Sequence, residues 1–487
     1  MLERVERGVR RAGRAVPEGV AAPVEGAYAD ARRQIRERRA DRAFGERDAG
    51  VTSSLSADAP DHVVVVVVDA LRADALDSDL TPFLSSLSGT DAVAPATWTY
   101  PSVTSLLSGR YPHDHRAIRR SDAFENSVAD ITGLPPQSDA PLVADHLDAA
   151  GYDTYGAFGF VVPFLALRGR FARHRLYDDA DAHRLLSDHA AWLADRRDGR
   201  TFSYLHLSDL HEPVEPPRAY ADEHDVDLSI PDIEGWDHED VVDATPTVER
   251  YRRHRRRLYD AAVEYADNRL AAHYRRITDL AGDVAFVVTG DHGEGFWERA
   301  RFHADHFADP RPAYCVGHGG APYEAITRVP VRVAGFDLAG ADRPTSLVDI
   351  APTVRAAVAG DAPRGDADPN AAGVPLGASV PDDRIRLVEG ARYGYEKKAA
   401  YADGSKLVVS RGDDVSVAFS LPEEAETTLP SEESSRLSDA LPPWPGAGDA
   451  AEGVSVGSRT ESDDAATDTR REVSGDVARQ LERLGYR

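Results

Sequence analysis

The chain has 487 residues, of which 83 are acidic and 57 are basic, so its formal net charge is −26. A surface of this sign repels phosphate backbones, which excludes bulk binding to nucleic acid. With 42% hydrophobic residues the chain is not disordered as a whole. Its single cysteine, Cys315, excludes an intramolecular disulfide and a metal cage built from several cysteines.

Only three of the basic residues are lysines. An acidic excess with so little lysine is typical of proteins from a high-salt cytoplasm, where such a surface stays hydrated. A GC-rich genome would explain the scarcity of lysine but not the excess of acid. No run reaches the roughly 18–20 apolar residues of a membrane span, and the N-terminus lacks the order of a signal peptide. The sequence therefore predicts a halophilic, cytoplasmic protein without a transmembrane segment.

Residues 1–58 form an arginine-rich arm for which we predict helix, interrupted by proline. The arm could lie on a membrane surface as an amphipathic helix, or it could pack against its own acidic domain, which we favour. The main domain is predicted over residues 59–382. It begins with six consecutive valines, Val63–Val68, which indicate a central strand that is covered on both faces.

Four further apolar runs, at residues 152–160, 201–207, 284–289 and 329–333, alternate with helical stretches. This alternation predicts an α/β sandwich with a central, mostly parallel sheet and helices on both sides. Short runs between residues 383 and 425 predict a small antiparallel C-terminal subdomain. For residues 426–487, rich in Glu, Asp, Ser, Pro and Gly, we predict a disordered acidic linker and a short terminal helix.

Three of the predicted strands end in carboxylate or imidazole side chains. The ends of neighbouring parallel strands meet in one crevice, so these side chains suit a divalent metal ion. Taken singly, each of these side chains could instead have a purely structural role, either as a helix cap or as a turn residue. The residues concerned are Asp69, Asp209, His211, Asp291 and His292.

A candidate nucleophile lies in the segment from Thr97 to Ser102, before a helical run. Pro101 suits the first turn of a helix, which places Thr99 at the helix N-terminus, where backbone N–H groups favour an anion. A hydroxyl that touches a divalent cation there can lose its proton and attack phosphorus or sulfur. A plain helix cap is the common alternative, and this segment alone does not exclude it.

Six stretches of the sequence match, in order, the motifs of one enzyme family. The stretches are Val68–Asp74, Thr81–Leu84, Thr99–His113, Asp209–Pro213, Gly290–Glu294, and His318–Gly320 with Tyr323–Glu324 and Arg328–Pro330, and a weaker match lies at Val348–Thr353. Each motif alone is modest, but their order and spacing together are specific. Over roughly residues 60–425 the chain thus resembles the sulfatase branch of the alkaline phosphatase superfamily.

The resemblance implies a role for each matching position. Asp69, Asp291 and His292 would bind the metal ion, and Thr99 would be both the fourth ligand and the nucleophile. His211 and His318 would hold the substrate oxygens or protonate the leaving group. A substrate-binding role is also predicted for Arg110 and Asp209. Arg110 could support the nucleophile loop. Asp209 could instead join a second metal site.

The sequence departs from the family at the nucleophile. Sulfatases carry Cys or Ser there, oxidised to formylglycine, and an Arg four positions later. Here the two positions are Thr99 and Val103. Threonine cannot give that aldehyde, and threonine nucleophiles are typical of relatives that cleave or transfer phosphodiesters. Asp69 is followed by Ala70 where sulfatases usually have a second Asp, which disfavours Ca²⁺.

We therefore predict a metal-dependent hydrolase that acts on phosphodiester or phosphonate esters, with sulfate esters as a lesser possibility. Its partner is an anionic ester substrate, which could be linked to a glycan. Its cofactor is one divalent ion, Mn²⁺, Zn²⁺, Mg²⁺ or Ca²⁺, with a second ion as an alternative. Two rival functions stay open: a phosphotransferase acting on envelope glycans, and a non-catalytic homologue that binds anionic glycans.

A dense basic run, Arg250–Arg257, lies on a predicted helix. It could bind an anionic glycan or a lipid headgroup. We favour the simpler interpretation, in which the run is a solvated face that pairs with the acidic surface.

Overall fold

The computed structural model describes residues 18–118, 140–177, 181–236, 241–311, 316–336, 343–360, 372–442 and 444, with side chains from residue 29 onward. Cys315, the predicted terminal helix and most of the predicted acidic linker lie outside these residues. Among the described helices, none is long and apolar enough to cross a lipid bilayer.

The helices and strands alternate through the main domain, as the hydrophobic pattern predicts. The helices are α1 (Glu18–Gly45), α2 (Pro82–Ser86), α3 (Thr99–Ser108), α4 (Pro112–His115), α5 (Val143–Ala149), α6 (Val161–Leu167), α7 (Ala182–Ala194), α8 (Arg218–Glu223), α9 (Pro246–Ala281), α10 (Ala300–His306), α11 (Glu324–Thr327), α12 (Ile350–Ala359) and α13 (Ser431–Ala440). The strands are β1 (His62–Val68), β2 (Ser88–Val93), β3 (Asp153–Phe158), β4 (Arg173–Leu176), β5 (Thr201–Leu207), β6 (Val284–Thr289), β7 (Gly295–Phe296), β8 (Val316–Gly317), β9 (Arg328–Ala334), β10 (Arg386–Val388), β11 (Lys398–Ala402), β12 (Ser405–Ser410), β13 (Val415–Ser420) and β14 (Ala425–Thr427).

The central sheet has seven strands in the order β2-β9-β6-β1-β5-β3-β4. The strands from β6 to β4 are parallel to their neighbours, and β9 runs antiparallel to both β6 and β2. This confirms the predicted α/β architecture with a mostly parallel sheet. The two strands absent from the sequence prediction, β2 and β4, lie at the sheet edges and are rich in polar residues, so they carry little apolar signal.

The valine run of β1 is buried on both faces of this sheet. Val63, Val65 and Val67 belong to one hydrophobic core, while the alternate valines of the strand belong to the core on the opposite face. Successive side chains of a strand point to opposite faces, so a strand between two helical layers must be apolar throughout. The unbroken run therefore places β1 at the centre of the sheet, with β5 and β6 on either side.

The helix α1 covers an edge of the sheet with its acidic residues. Asp41 accepts hydrogen bonds from the backbone N–H of His174 at 2.8 Å and from the side chain of Arg173 at 2.8 Å. Glu37 accepts from the backbone N–H of Leu176 at 2.9 Å. These contacts satisfy the N–H groups of the edge strand β4, which would otherwise be open to pairing with another chain. The arm thus packs on its own domain through these carboxylates, and also through Arg47, which donates to both oxygens of Asp145 at 2.6 and 3.0 Å.

A second sheet of five antiparallel strands, in the order β10-β11-β12-β13-β14, forms the C-terminal part of the described chain. The helix α13 follows it, within residues 426–487, where a disordered linker was predicted. That prediction is wrong for residues 431–440. Leu437 is fully buried and belongs to the same small core as Leu407 and Ala400. The hydroxyl of Ser405 on β12 also donates to Glu433 of the helix, so the helix packs on the sheet.

All three lysines of the chain lie in this subdomain, and all three are buried. The exposed fractions of Lys397, Lys398 and Lys406 are 1%, 2% and 0%. Lys398 is paired with Glu389 at 2.7 Å, and Lys406 is paired with Glu424. Burying an ammonium group is unfavourable unless a carboxylate and hydrogen bonds replace its water, which is what these partners do.

A pair of buried histidines links α7 and α9 to the sheet. His189 lies 3.0 Å (Nδ1 to Nε2) from His273, and its other ring nitrogen lies 2.8 Å from the hydroxyl of Ser203 on β5. Burial, and then the positive charge of His273, hold the pKa of His189 well below its usual value. Burial, and then the charge of Arg276, lower the pKa of His273 to about 3.

We expect this pair to make the fold sensitive to acid. Below about pH 6.5 the unfolded chain protonates both rings while the folded chain does not, so the unfolding free energy falls as the pH decreases. The limiting slope is about 1.4 kcal/mol per pH unit for each histidine. Urea titrations between pH 7 and pH 4 should show that the unfolding free energy decreases less steeply with decreasing pH in His273→Gln than in the wild type. His183→Gln, which changes an exposed ring of α7, is the control, and an equal slope in all three proteins would contradict the expectation.

Candidate active site

The carboxyl ends of three adjacent strands bring together the residues of the candidate site. Asp69 directly follows β1, and Asp291 and His292 follow β6 after one glycine. His206 is the penultimate residue of β5 and pairs in register with Val67 of β1. Because β1 lies between the other two strands, all four side chains reach the same crevice.

Two carboxylates and an imidazole converge at the centre of this crevice. One ligand atom from each of Asp69, His206 and Asp291 lies within 4.8 Å of the others, and all three residues are buried. His206 Nε2 is 2.9 Å from Asp69 Oδ2. His292 lies beside them, with its Nε2 3.7 Å from Asp69 Oδ1 and 3.6 Å from Asp291 Oδ2.

The hydroxyl of Thr99 points into this cluster from the first residue of α3. Its Oγ1 is 3.1 Å from Asp69 Oδ2 and 3.2 Å from His292 Nε2, and the residue has no exposed surface. Two neighbours fix the start of the helix. The indole of Trp98 donates to the carbonyl of Gly390 at 2.6 Å, and the hydroxyl of Ser102 donates to the carbonyl of Asp291 at 2.6 Å.

The two carboxylates have opposite pKa shifts. Burial would raise the pKa of Asp69, but the hydrogen bond from His206 and the charges of His211 and His292 outweigh it, so the pKa is lowered well below its usual range. Burial and the negative charge of Asp69 raise the pKa of Asp291. Two carboxyl groups held close together in a buried site are therefore not readily ionised at the same time, because their negative charges repel each other.

The donor set fits a divalent cation. Asp69 Oδ1 and Asp291 Oδ2 are both buried and have no hydrogen-bond partner among the described residues. A buried carboxylate oxygen without a partner costs free energy, and a cation between the two oxygens would remove that cost. A site of carboxylate oxygens with imidazole nitrogens suits Mn²⁺ or Zn²⁺ better than Ca²⁺, which prefers oxygen ligands alone.

Two further histidines border the cluster. The ring of His318 lies 4.3 Å from that of His292 and 5.3 Å from that of His211, measured between centroids. Burial lowers the pKa of His211 to about 4 although the charge of Asp69 opposes it, and burial, followed by the charge of His292, holds the pKa of His318 well below its usual value. Both rings are therefore neutral near pH 7. His318 Nδ1 lies 3.2 Å from Oε1 of the buried Glu294.

Two residues that the sequence analysis assigned to substrate binding lie elsewhere. Arg110 follows the C-terminal end of α3, a helix of ten residues, so it is about 15 Å along the helix axis from Thr99. Asp209 Oδ1 accepts from the backbone N–H of Ala182 at 3.0 Å, which turns the carboxylate toward the start of α7. Burial raises the pKa of this carboxyl to about 7. Substrate binding by Arg110 or by Asp209 stays a prediction, and among the described residues no second group of metal-ligand side chains is found.

Two residues near the cluster were not selected from the sequence. His206 lies within a fully buried strand that also contains Thr201 and Ser203, and its only signal is an imidazole one residue before the strand end. Glu294 belongs to the Gly290–Glu294 stretch, and its side chain packs against His318 only because β7 and β8 pair. That pairing joins segments about 20 residues apart, which no local pattern predicts.

The model of the sulfatase family matches residues 61–360, which is more than half of the chain. The chain belongs to the sulfatase family. This confirms the resemblance drawn from the six sequence stretches, and with it the assignment to a family of hydrolases. No curated protein sequence gives a significant match.

Solved structures with the same fold include sulfatase-family members. A protein from Bacteroides fragilis described as a sulfatase has 15% identity and a TM-score of 0.54, and the match covers 76% of this chain and 91% of that one. The phosphonate monoester hydrolase from Silicibacter pomeroyi has 16% identity and a TM-score of 0.55, and the match covers 78% of this chain and 93% of that one. A protein solved in complex with its substrate D-glucosamine-2-N,6-O-disulfate has 13% identity and a TM-score of 0.56, and the match covers 78% of this chain and 96% of that one. At these identities the likeness establishes the fold.

Proposed function

We propose that this sulfatase-family chain is a metal-dependent hydrolase of phosphodiesters and phosphonate esters, with Thr99 as its nucleophile. The observation that carries the proposal is the position of Thr99 Oγ1, 3.1 Å from Asp69 and 3.2 Å from His292 in a fully buried cluster. A hydroxyl that only capped its helix would bond to backbone N–H groups of the first turn. In the described part of the chain, the Thr99 hydroxyl instead bonds to the side chains of Asp69 and His292.

The nucleophile argues for phosphorus over sulfur. The fold occurs in a phosphonate monoester hydrolase and in proteins described as sulfatases, so the fold does not decide between them. Formylglycine releases sulfate by elimination from its hydrate, a route that requires an aldehyde. Oxidation of Thr99 would give a ketone, and a threonine ester of phosphate can instead be hydrolysed by attack of water at phosphorus.

Asp69, His206, Asp291 and His292 would hold the divalent cation. When bound, the ion would lower the pKa of an adjacent hydroxyl and offset charge that develops on the non-bridging oxygens, which is worth several kcal/mol. In the first step Thr99 Oγ1 forms a bond to phosphorus as the ester oxygen leaves with the bonding electron pair. The proton that Thr99 loses ends on that leaving oxygen.

His211 is suited to the second step. Its Nδ1 lies 2.7 Å from the carbonyl oxygen of Glu212, and a carbonyl can only accept, so Nδ1 carries the proton. In the neutral ring, Nε2 then holds the lone pair. It can take a proton from a water molecule that attacks phosphorus, while the bond between phosphorus and Thr99 Oγ1 breaks. The proton taken from water then passes to the Thr99 oxygen, which restores the hydroxyl and the neutral imidazole.

An ester panel tests the proposal. The purified protein, in molar salt and with Mn²⁺, Zn²⁺, Mg²⁺ or Ca²⁺ in turn, is assayed on an aryl phosphodiester, an aryl phosphonate ester, a phosphate monoester and a sulfate ester. We expect turnover of the diester and the phosphonate that requires Mn²⁺ or Zn²⁺ and stops with a chelator. Sulfate ester turnover that exceeds both would overturn the preference for phosphorus, and absence of any turnover would overturn the proposal.

A further inference from the structure

A surface cleft of about 340 Å³ lies where the helix α1 meets the edge strand β4 and the helix α7. Five guanidinium groups from these three elements line the cleft, which is called the arginine cleft below. They belong to Arg33, Arg38, Arg173, Arg175 and Arg184. The chain as a whole has a net charge of −26, so this concentration of positive charge is opposite in sign to the rest of the molecule.

Two carboxylates also line the arginine cleft, and both are already engaged by its wall. Glu37 accepts from the backbone N–H of Leu176 at 2.9 Å and pairs with Arg175 at 3.3 Å. Asp188 accepts from the hydroxyl of Tyr177 at 2.8 Å. Because the guanidinium groups outnumber these carboxylates, the cleft keeps a net positive charge.

Three of the five arginines have a carboxylate partner. Arg33 pairs with Asp30 and Arg173 pairs with Asp41, each at 2.8 Å, and Arg175 has its partner within the wall. A guanidinium group has five N–H donors, so one carboxylate does not use all of them. The side chains of Arg173 and Arg175 are 41% and 38% exposed, and their remaining donors can therefore reach a ligand from solvent.

The other two arginines stand on the rim of the cleft, Arg38 on α1 and Arg184 on α7, and both are exposed. Within the described ranges of the chain, neither guanidinium group forms an ion pair with a carboxylate. The guanidinium group of Arg184 packs over the ring of Tyr177, 5.7 Å from its centroid. These two cations face each other across the cleft without a counter-charge from the described protein, so an anion between them would be attracted by both.

The charge and size of the arginine cleft favour a short polyanion. A cation would be repelled, and a single phosphate ion could not reach the guanidinium groups of all three elements at once. A nucleic acid strand would extend past the cleft over an acidic surface that repels it. Guanidinium groups pair bidentately with phosphate oxygens, so two or three linked phosphate groups fit the donors best.

We propose that the arginine cleft binds a short phosphate polyanion, such as a triphosphate group, and that this ligand fastens α1 to the main domain. The site is separate from the strand-end cluster, because β4 lies three strands from β1 in the central sheet, or about 14 Å. The cleft would have this role whatever ester the enzyme cleaves. The ligand would offset the mutual repulsion of the arginines on α1, β4 and α7, and thereby stabilise the docked helix.

Calorimetric titration of the purified full chain with sodium tripolyphosphate tests the site, at the lowest salt concentration at which the protein stays folded. We expect tripolyphosphate to bind at least about tenfold more tightly than orthophosphate, because it meets more guanidinium groups. Arg38→Gln and Arg184→Gln should each weaken tripolyphosphate binding about tenfold or more, which is the usual effect of losing a hydrogen bond to a charged group. Arg42→Gln is the matched control: it removes the same charge from an exposed position of α1 outside the cleft, and its Kd should stay within about twofold of the wild type.

Hydrogen–deuterium exchange locates the bound ligand. Tripolyphosphate should slow amide exchange in α1 and in β4, and this protection should be lost in Arg184→Gln. Protection confined to the segments around Asp69 and Thr99 would mean that the compound binds at the strand-end cluster, and the inference would be wrong. Equal Kd values for tripolyphosphate and orthophosphate, an unchanged Kd in both cleft variants, or no binding of tripolyphosphate would also overturn it.

ATP carries the same triphosphate group and distinguishes the two sources of such a ligand. Tighter binding of ATP than of tripolyphosphate, lost in Arg184→Gln, would support a nucleotide as the ligand. Equal or weaker binding of ATP would support an inorganic polyphosphate in the same cleft.

Discussion

Replacing Thr99 by alanine should abolish turnover of aryl phosphodiesters while leaving metal binding largely intact. Removal of the nucleophile in enzymes that form a covalent intermediate typically lowers kcat by roughly 10⁴-fold or more. Thr99 contributes one hydroxyl to the cluster, whereas Asp69 and Asp291 would contribute the charge that holds a cation. Initial rates with Mn²⁺, together with calorimetric Mn²⁺ titration of the same preparation, separate the two effects.

Thr104→Ala is the matched control for this substitution. Thr104 lies on the same helix, is also buried, and donates its hydroxyl to the carbonyl of Tyr100 at 3.0 Å, away from the cluster. Its loss should change kcat by no more than a few-fold. Substantial turnover by Thr99→Ala would show that water attacks the ester directly, and the covalent step would then be wrong.

The second large effect is expected from Asp291→Asn, which should weaken metal binding and stabilise the metal-free protein. Loss of a ligand carboxylate should lower Mn²⁺ affinity by at least about 100-fold, since loss of an outer partner alone costs 10–100-fold. The pKa of Asp291 is raised by burial and by Asp69, so its negative charge is unfavourable when no cation is present. Near pH 7, removing that charge should therefore raise the Tm of the metal-free protein by roughly 2–4 °C. Calorimetric titration and thermal unfolding in chelator measure the two quantities.

Asp209→Asn provides the comparison. Asp209 is also buried and lies in the loop after β5, but its carboxylate faces α7. Mn²⁺ affinity should stay at the wild-type value in this variant. A loss of affinity in Asp209→Asn that equals the loss in Asp291→Asn would mean that the metal lies elsewhere than between Asp69 and Asp291.

The strands of the main domain could be predicted where burial makes their sequences strongly apolar. β1, β5 and β6 are buried at every position, so they appear as continuous apolar runs. The edge strand β4 alternates buried and half-buried residues over only four positions, and its hydrogen bonds come partly from α1. Such strands are fixed by tertiary contacts, so their own residues do not reveal them.

The same distinction holds for the site. Asp69, Asp291 and His292 could be selected because each follows a buried strand, and parallel strands end at one edge. The distance between Thr99 and Arg110 could not be predicted, because a motif gives order along the chain but not the length of the helix between its two ends. His206 was missed because its role depends on the register of β5 with β1, which is a property of the sheet rather than of the strand.

The burial of all three lysines has a consequence for the covalent chemistry of the protein. Acylating and aldehyde reagents attack unprotonated side-chain amines that solvent can reach, and in the folded chain all three lysines are buried. Such reagents therefore find no lysine to modify until this part of the chain opens. Because Lys398 begins β11 and Lys406 lies in β12, their modification would report local opening of adjacent strands, and the lysines should resist amine cross-linking in the native state.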